Sequence, residues 1–116
     1  LSMRQWLIPP EILCTKHLGG EYVEGLMALG SIAKGRSMRG FIDKGLIEIH
    51  NIRNRWEEIR KECKLRGRKT NAIPLDVVLW TEGKVDTTKS YKDLKARCPH
   101  CSERIDKYNE KNNTNY

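Results

Sequence analysis

Between residues 49 and 63 the apolar side chains Ile49, Ile52, Trp56, Ile59 and Cys63 stand at spacings of 3, 4, 3 and 4. That period places all five on one side of an α-helix, whereas a half-buried strand would alternate at two. The other sides carry Arg53, Arg55, Arg60, Lys61, Lys64 and Arg66, and Gly67 supplies a stop. A helix with one apolar stripe must bury it against a partner. Tyr22, Leu26, Leu29 and Ala33, at spacings of 4, 3 and 4, form a second helical stripe. Gly25 and Gly30 weaken the second helix by roughly 1 kcal/mol each relative to alanine, a cost that close approach to its backbone would offset.

The remaining segments are punctuated by breakers. MRQWLIPP, residues 3–10, reads as an extended arm, because Pro9-Pro10 holds off helix formation until Glu11. A short helix is expected over Glu11–Leu18, broken or bent at Gly19-Gly20. Lys34–Gly45 reads as a basic loop. Asn71–Pro74 reads as a turn leading to an apolar stretch at Val77–Trp80, and Thr87 or Thr88 is placed to cap a helix toward Arg97. The expected fold is all-α: a compact single domain of about three to five helices behind an extended N-terminal arm. Residues 1–106 form that domain, with a core over 3–75 and a C-terminal extension over 76–106. The asparagine-rich tail 107–116 is expected to be disordered.

The chain of 116 residues carries a net charge of +7. Residues 1–75 hold 14 Lys/Arg against 8 Asp/Glu, and residues 76–116 hold 8 against 7, so the excess lies in the first two thirds. A concentrated positive field favours a polyanionic partner, although a basic surface also serves solubility alone. No apolar run approaches the roughly 18 residues of a membrane span, and the start does not read as a secretory signal. The expectation is a cytoplasmic protein, intracellular and without a membrane partner. In that setting Cys14, Cys63, Cys98 and Cys101 are thiols or metal ligands rather than disulfides.

Three constellations carry chemistry. In KHLGGEYVEGL, residues 16–26, Glu21 and Glu24 share a helix face, either as a solvated surface or with one carboxylate working on a substrate. Cys14 and His17 stand at i and i+3, and Cys98-Pro-His-Cys101 is a CxxC pair able to supply half of a tetrahedral zinc site. The two pairs together would make a Cys3His set; the alternative is a reduced surface pair with Cys14 in the core. Cys63 lies on the apolar stripe and reads as core. Arg36, Arg39 and Lys44 suit phosphate contacts, or an ordinary solvated loop. Trp6, Trp56 and Trp80 read as core anchors before base-stacking platforms.

MRQW, IPPEILCTKHLGGEYVEGLMALGSI, GFIDKGLIEIHNIRNRWEEIRKECKLRGR and the following IPL together resemble the pyrimidine-dimer DNA glycosylase/AP lyase family (phage endonuclease V-like) over roughly residues 3–75. CPHCSERI is similar to the C-terminal region of its smaller members. The resemblance implies an all-helical enzyme of DNA repair that requires no cofactor, acts as a monomer on double-stranded DNA, and removes a pyrimidine dimer or related lesion. The nucleophile would be the α-amino group of the mature chain, which forms an imine at C1′; a helix glutamate then assists the β-elimination that nicks the strand. An α-amine, with a reference pKa near 7.7–8.0, is far more often neutral at pH 7 than a lysine.

By position, Met3 falls at the nucleophile and Glu24 at the catalytic glutamate. Arg4 and His17 fall at residues beside the DNA, with Arg36, Arg39 and Lys44 as further DNA-binding residues. Two departures stand out. Leu1-Ser2 precede Met3, which as a terminus would be retained because the bulky Arg4 follows it. Val23 stands where an arginine is expected. A His17 beside the lesion leaves Cys98 and Cys101 to hold a possible structural zinc with other partners. The rival readings are a non-catalytic DNA-binding module of the same fold and a small zinc-stabilised interaction protein.

Overall fold

The apolar stripe at 52–63 becomes α3, Ile52–Leu65, entered through a 3₁₀ turn at Ile49–Asn51. In the computed structural model, which describes residues 3–70 and 75–116, all regular secondary structure is helical. α1 spans Thr15–Ala33, α2 Arg39–Asp43, α4 Thr87–Arg97 and α5 Pro99–Asn112. The turn expected at Asn71–Pro74 lies outside the described residues.

α1 packs along α3, and the contact depends on Gly25. A Cβ there would stand 2.7 Å from Trp56 Cδ1, closer than van der Waals contact permits. The indole instead lies against the bare backbone of α1 and donates from Nε1 to the Tyr22 carbonyl at 3.0 Å. The close approach inferred from the sequence is therefore made by the core of the protein itself. Trp56 is 1% exposed, a core anchor as expected. Trp6 is also buried, whereas Trp80 is 45% exposed.

Several segments differ from their sequence reading. The helix expected over Glu11–Leu18 resolves into a 3₁₀ turn at Pro10–Ile12, two extended residues, and α1. Cys14 takes the N-cap position in an extended conformation with ψ 167°. α1 then runs unbroken through Gly19-Gly20, since packing against α3 outweighs the weak propensity of two glycines. The loop at Lys34–Gly45 contains α2, whose Phe41 and Ile42 pack on the core with Leu46. α4 is capped by Asp86, whose carboxylate accepts the Lys89 N–H at 3.3 Å, one residue before the expected threonines.

The tail departs most. α5 continues to Asn112, and Asn113 ends it in the left-handed conformation at φ 54°. The chain then folds back so that Tyr116 stacks on Tyr91 with ring centroids 4.1 Å apart. Residues 107–112 thus continue α5, and Tyr116 returns to the surface of α4. The core divides into two clusters. One joins Trp6, Leu18, Ile59, Leu94 and Ile105 near the cysteines. The other joins Met3, Leu29, Met38, Ile47 and Ile52 beneath the arm.

Candidate active site and the cysteine–histidine cluster

The arm is threaded against α1 and α3 by a buried ion pair. Glu21, on α1, and Arg55, on α3, meet through Nε at 2.6 Å and Nη2 at 3.0 Å. Their side chains are 3% and 4% exposed. Glu21 also accepts the Trp6 N–H at 3.1 Å, and Arg55 donates to the Ile8 carbonyl at 2.6 Å. These two bonds bracket Leu7, which is held at φ 54°, a conformation that costs a non-glycine residue about 1–2 kcal/mol. Gln5 completes the docking: its N–H donates to the Leu46 carbonyl at 2.8 Å, and its side-chain oxygen accepts the Glu48 N–H at 2.7 Å.

One turn further along the same face of α1, Glu24 points at the start of the arm. Its Oε1 accepts the Arg4 N–H at 2.9 Å. The carboxylate thus sits one residue from the backbone nitrogen of Met3, a step of about 3 Å along the chain. Met3, Glu24, Gly25 and Trp56 line a recess with room for about 20 Å³, enough for a single water and far too little for a base. Burial raises the Glu24 pKa above its ordinary value; the Arg4 N–H opposes the rise, and the neighbouring Glu21 charge adds to it. Glu24 therefore holds a proton more readily than a surface glutamate.

The other residues singled out fall into two groups. Arg4 turns inward: Nη2 meets Asp93 on α4 at 2.8 Å, and its guanidinium lies 3.9 Å from the Trp6 ring centroid. Arg36, Arg39 and Lys44 are exposed, on and beside α2. Arg39 is already engaged by Glu82 at 2.5 Å and Asp43 at 3.4 Å, while Val23, next to Glu24, presents an apolar side chain to solvent at 53% exposure.

His17 stands with the cysteines. Its Nδ1 lies 3.2 Å from Cys14 Sγ and 3.4 Å from Cys101 Sγ, and Cys14 Sγ lies 3.8 Å from Cys98 Sγ. The four ligand atoms all fall within 4.8 Å of one another, so this group can hold a metal ion. All four cysteines are free and buried, and Cys63 remains apart on the α3 stripe. Burial, partly opposed by the Cys14 N–H, pushes the Cys101 thiol up to about 12. Cys98 is also desolvated, yet hydrogen bonds from the Cys101 and His100 backbone and the Cys101 and Cys14 thiols bring it below the usual thiol value.

Sequence reasoning missed the Glu21–Arg55 pair and the Asp93 partner of Arg4. Arg55 lay in plain view as one of the basic residues around α3, but it stands three after Ile52 and four before Ile59, on the buried stripe itself. A cation at that register demands a buried anion. Asp93 gave no such signal, being one acidic residue on an otherwise polar helix.

Among the described residues no helix is long and apolar enough to cross a membrane. No curated protein and no solved structure matches the chain. A family model described as pyrimidine dimer DNA glycosylase matches residues 3–74, from the first residue of the docked arm to just beyond α3. With that match covering well over half of the sequence, and the arm, α1 and α3 forming one buried unit inside it, the chain belongs to the pyrimidine dimer DNA glycosylase family.

Proposed function

We propose that this protein excises a pyrimidine dimer or related lesion from duplex DNA and cleaves the resulting abasic site as a lyase, with the backbone nitrogen of Met3 as nucleophile in a chain that begins there. The observation that carries this reading is the Glu24 carboxylate held on the Arg4 N–H at 2.9 Å, one residue along the chain from the nitrogen of Met3. The free amine of Met3 attacks C1′, the glycosidic bond breaks, and the base leaves with the bonding pair and takes up a proton. The attacking nitrogen loses a proton to give a glycosylamine; its lone pair then breaks the C1′–O4′ bond, O4′ takes up a proton, and the opened sugar is joined to the protein as a protonated imine. Glu24 then accepts a C2′ proton, and the electron pair expels the 3′ phosphate by β-elimination. Water hydrolyses the imine and restores the amine.

The raised pKa of Glu24 suits a group that must both give and take a proton. The small recess behind Met3 has room for a water but not for a base, so in this reading the damaged nucleotide is everted from the helix with C1′ at the rim. Arg36, Arg39 and Lys44 contact phosphates, giving affinity without sequence preference. Arg4 and His17 face inward and shape the arm and its base. The reaction requires no cofactor.

Borohydride trapping on abasic duplex DNA tests this. A chain starting at Met3 should form a covalent adduct through its terminal amine, and the chain that retains Leu1-Ser2 should form far less. Glu24→Gln should lower strand cleavage by about 10²–10⁴-fold. No adduct from either terminus, or an adduct mapped to a lysine, overturns the mechanism and leaves a DNA-binding module of the same fold.

A further inference from the structure

The geometry points to a closed tetrahedral Zn²⁺ site made by Cys14, His17, Cys98 and Cys101, which fastens the α4–α5 hairpin to the start of α1. Three thiolates and one imidazole are a soft donor set of the kind structural zinc takes, with four protein ligands and no position left for a substrate. The spacing agrees with the metal's size. Zn–S bonds of about 2.3 Å and a Zn–N bond of about 2.0 Å, disposed tetrahedrally, give S···S edges of about 3.8 Å and S···N edges of about 3.5 Å. The corresponding separations here are 3.8 Å for Cys14–Cys98, and 3.2 and 3.4 Å from His17 Nδ1 to Cys14 and Cys101. A disulfide would need its sulfurs at about 2.05 Å and would leave the imidazole without a purpose.

The surroundings are those of bound thiolates. The Cys14 N–H points at Cys101 Sγ at 3.3 Å, and the Cys101 N–H at Cys98 Sγ at 3.4 Å, so backbone dipoles neutralise sulfur charge in the manner of an outer ligand shell. Cys14 and Cys98 are the N-caps of α1 and α5, and two helix N-termini therefore converge on the cluster. Zinc with three thiolates carries a net charge of about −1, which Lys16 and Arg97, both close enough to act on His17, offset. An open groove beside Cys14, between Lys16 and Glu103, gives an ion a way in.

This site lies apart from the reaction centre: seven residues separate His17 from Glu24, about 10 Å along the α1 axis. It also joins two parts of the chain. Cys14 and His17 belong to the segment matching the family, and Cys98 and Cys101 lie beyond it. The metal is thus the clasp that holds the C-terminal hairpin, with Asp93 on α4, against the arm that Arg4 anchors.

Elemental analysis of the full chain, purified reduced and without chelator, should find about one zinc per molecule. Cys98→Ser and Cys101→Ser should lose it, whereas His17→Cys, which keeps four soft ligands, and His100→Ala should retain it. Because a cysteine variant may simply fail to fold, the unaltered chain supplies a second readout: Co²⁺ added after zinc removal should give thiolate-to-cobalt charge transfer and the intense visible bands of a tetrahedral ion. Zinc returned to the metal-free chain should raise Tm by more than about 10 °C. Absence of stoichiometric metal together with a cobalt spectrum lacking charge transfer overturns the site. Retention by His17→Ala with loss in His100→Ala overturns the ligand assignment.

Discussion

Replacing Arg55 by alanine is the most direct perturbation of the arm. The substitution removes both contacts to Glu21, at 2.6 and 3.0 Å, and the bond to the Ile8 carbonyl at 2.6 Å. Glu21, 5% exposed, keeps only the Trp6 N–H. Stranding a charge in this way costs about 3–5 kcal/mol, most of it desolvation that the guanidinium had offset. For a domain of this size that corresponds to a fall in Tm of roughly 12–20 °C. Urea unfolding followed by tryptophan fluorescence measures it, since Trp6 and Trp56 both lie against the affected elements. The double variant Glu21→Leu/Arg55→Leu should be less destabilised than the sum of its two single variants, by about 1–3 kcal/mol. Raising salt should change the parent's pair little, because a buried pair is poorly screened. Even at temperatures where Arg55→Ala remains folded, borohydride trapping should fall, as the arm no longer holds Met3 beside Glu24. A cost below about 1 kcal/mol with additive single variants would refute the idea that this pair sets the arm.

Burial raises the Glu24 pKa above its ordinary 4.5, so the native state binds that proton more tightly than the unfolded chain does; the resulting stability is full below 4.5 and is lost as pH rises through the raised value. Relative to Glu24→Gln, the parent should therefore lose stability over that window, and a pH-independent difference between the two denaturation series would count against it. Arg36→Ala and Lys44→Ala should each reduce the slope of log affinity against log salt for duplex DNA by about 0.9. Arg39→Ala should change it less, because Glu82 and Asp43 already neutralise that side chain; equal effects at all three positions would show that the ion pairs open on DNA.

The all-helical fold was legible in residues 49–63 and 22–33, because a period of 3.6 in side-chain type needs no knowledge of what the helix will pack against. The resemblance likewise singled out Glu24, whose carboxylate accepts the Arg4 N–H of the arm. Ordering at the chain ends was not legible. Residues 107–112 are polar enough to read as disordered, and their helix depends on Pro99 as its first residue and on Ile105 being buried elsewhere. Glu21 and Glu24 are alike in sequence and three residues apart, yet one is locked to Arg55 and the other faces the arm. Only α3, arriving from 34 residues away, separates them. The same holds for His17. Its sequence spacing pairs it with Cys14, but whether it faces DNA or the CxxC depends on where α5 lies. The sequence by itself determined that the chain is helical and where the apolar stripes of α1 and α3 run, since those follow from local periodicity and residue type. The tertiary structure decided which charges are paired, which thiols meet, and which carboxylate receives the Arg4 N–H, because each of these is a distance between segments that no local pattern encodes.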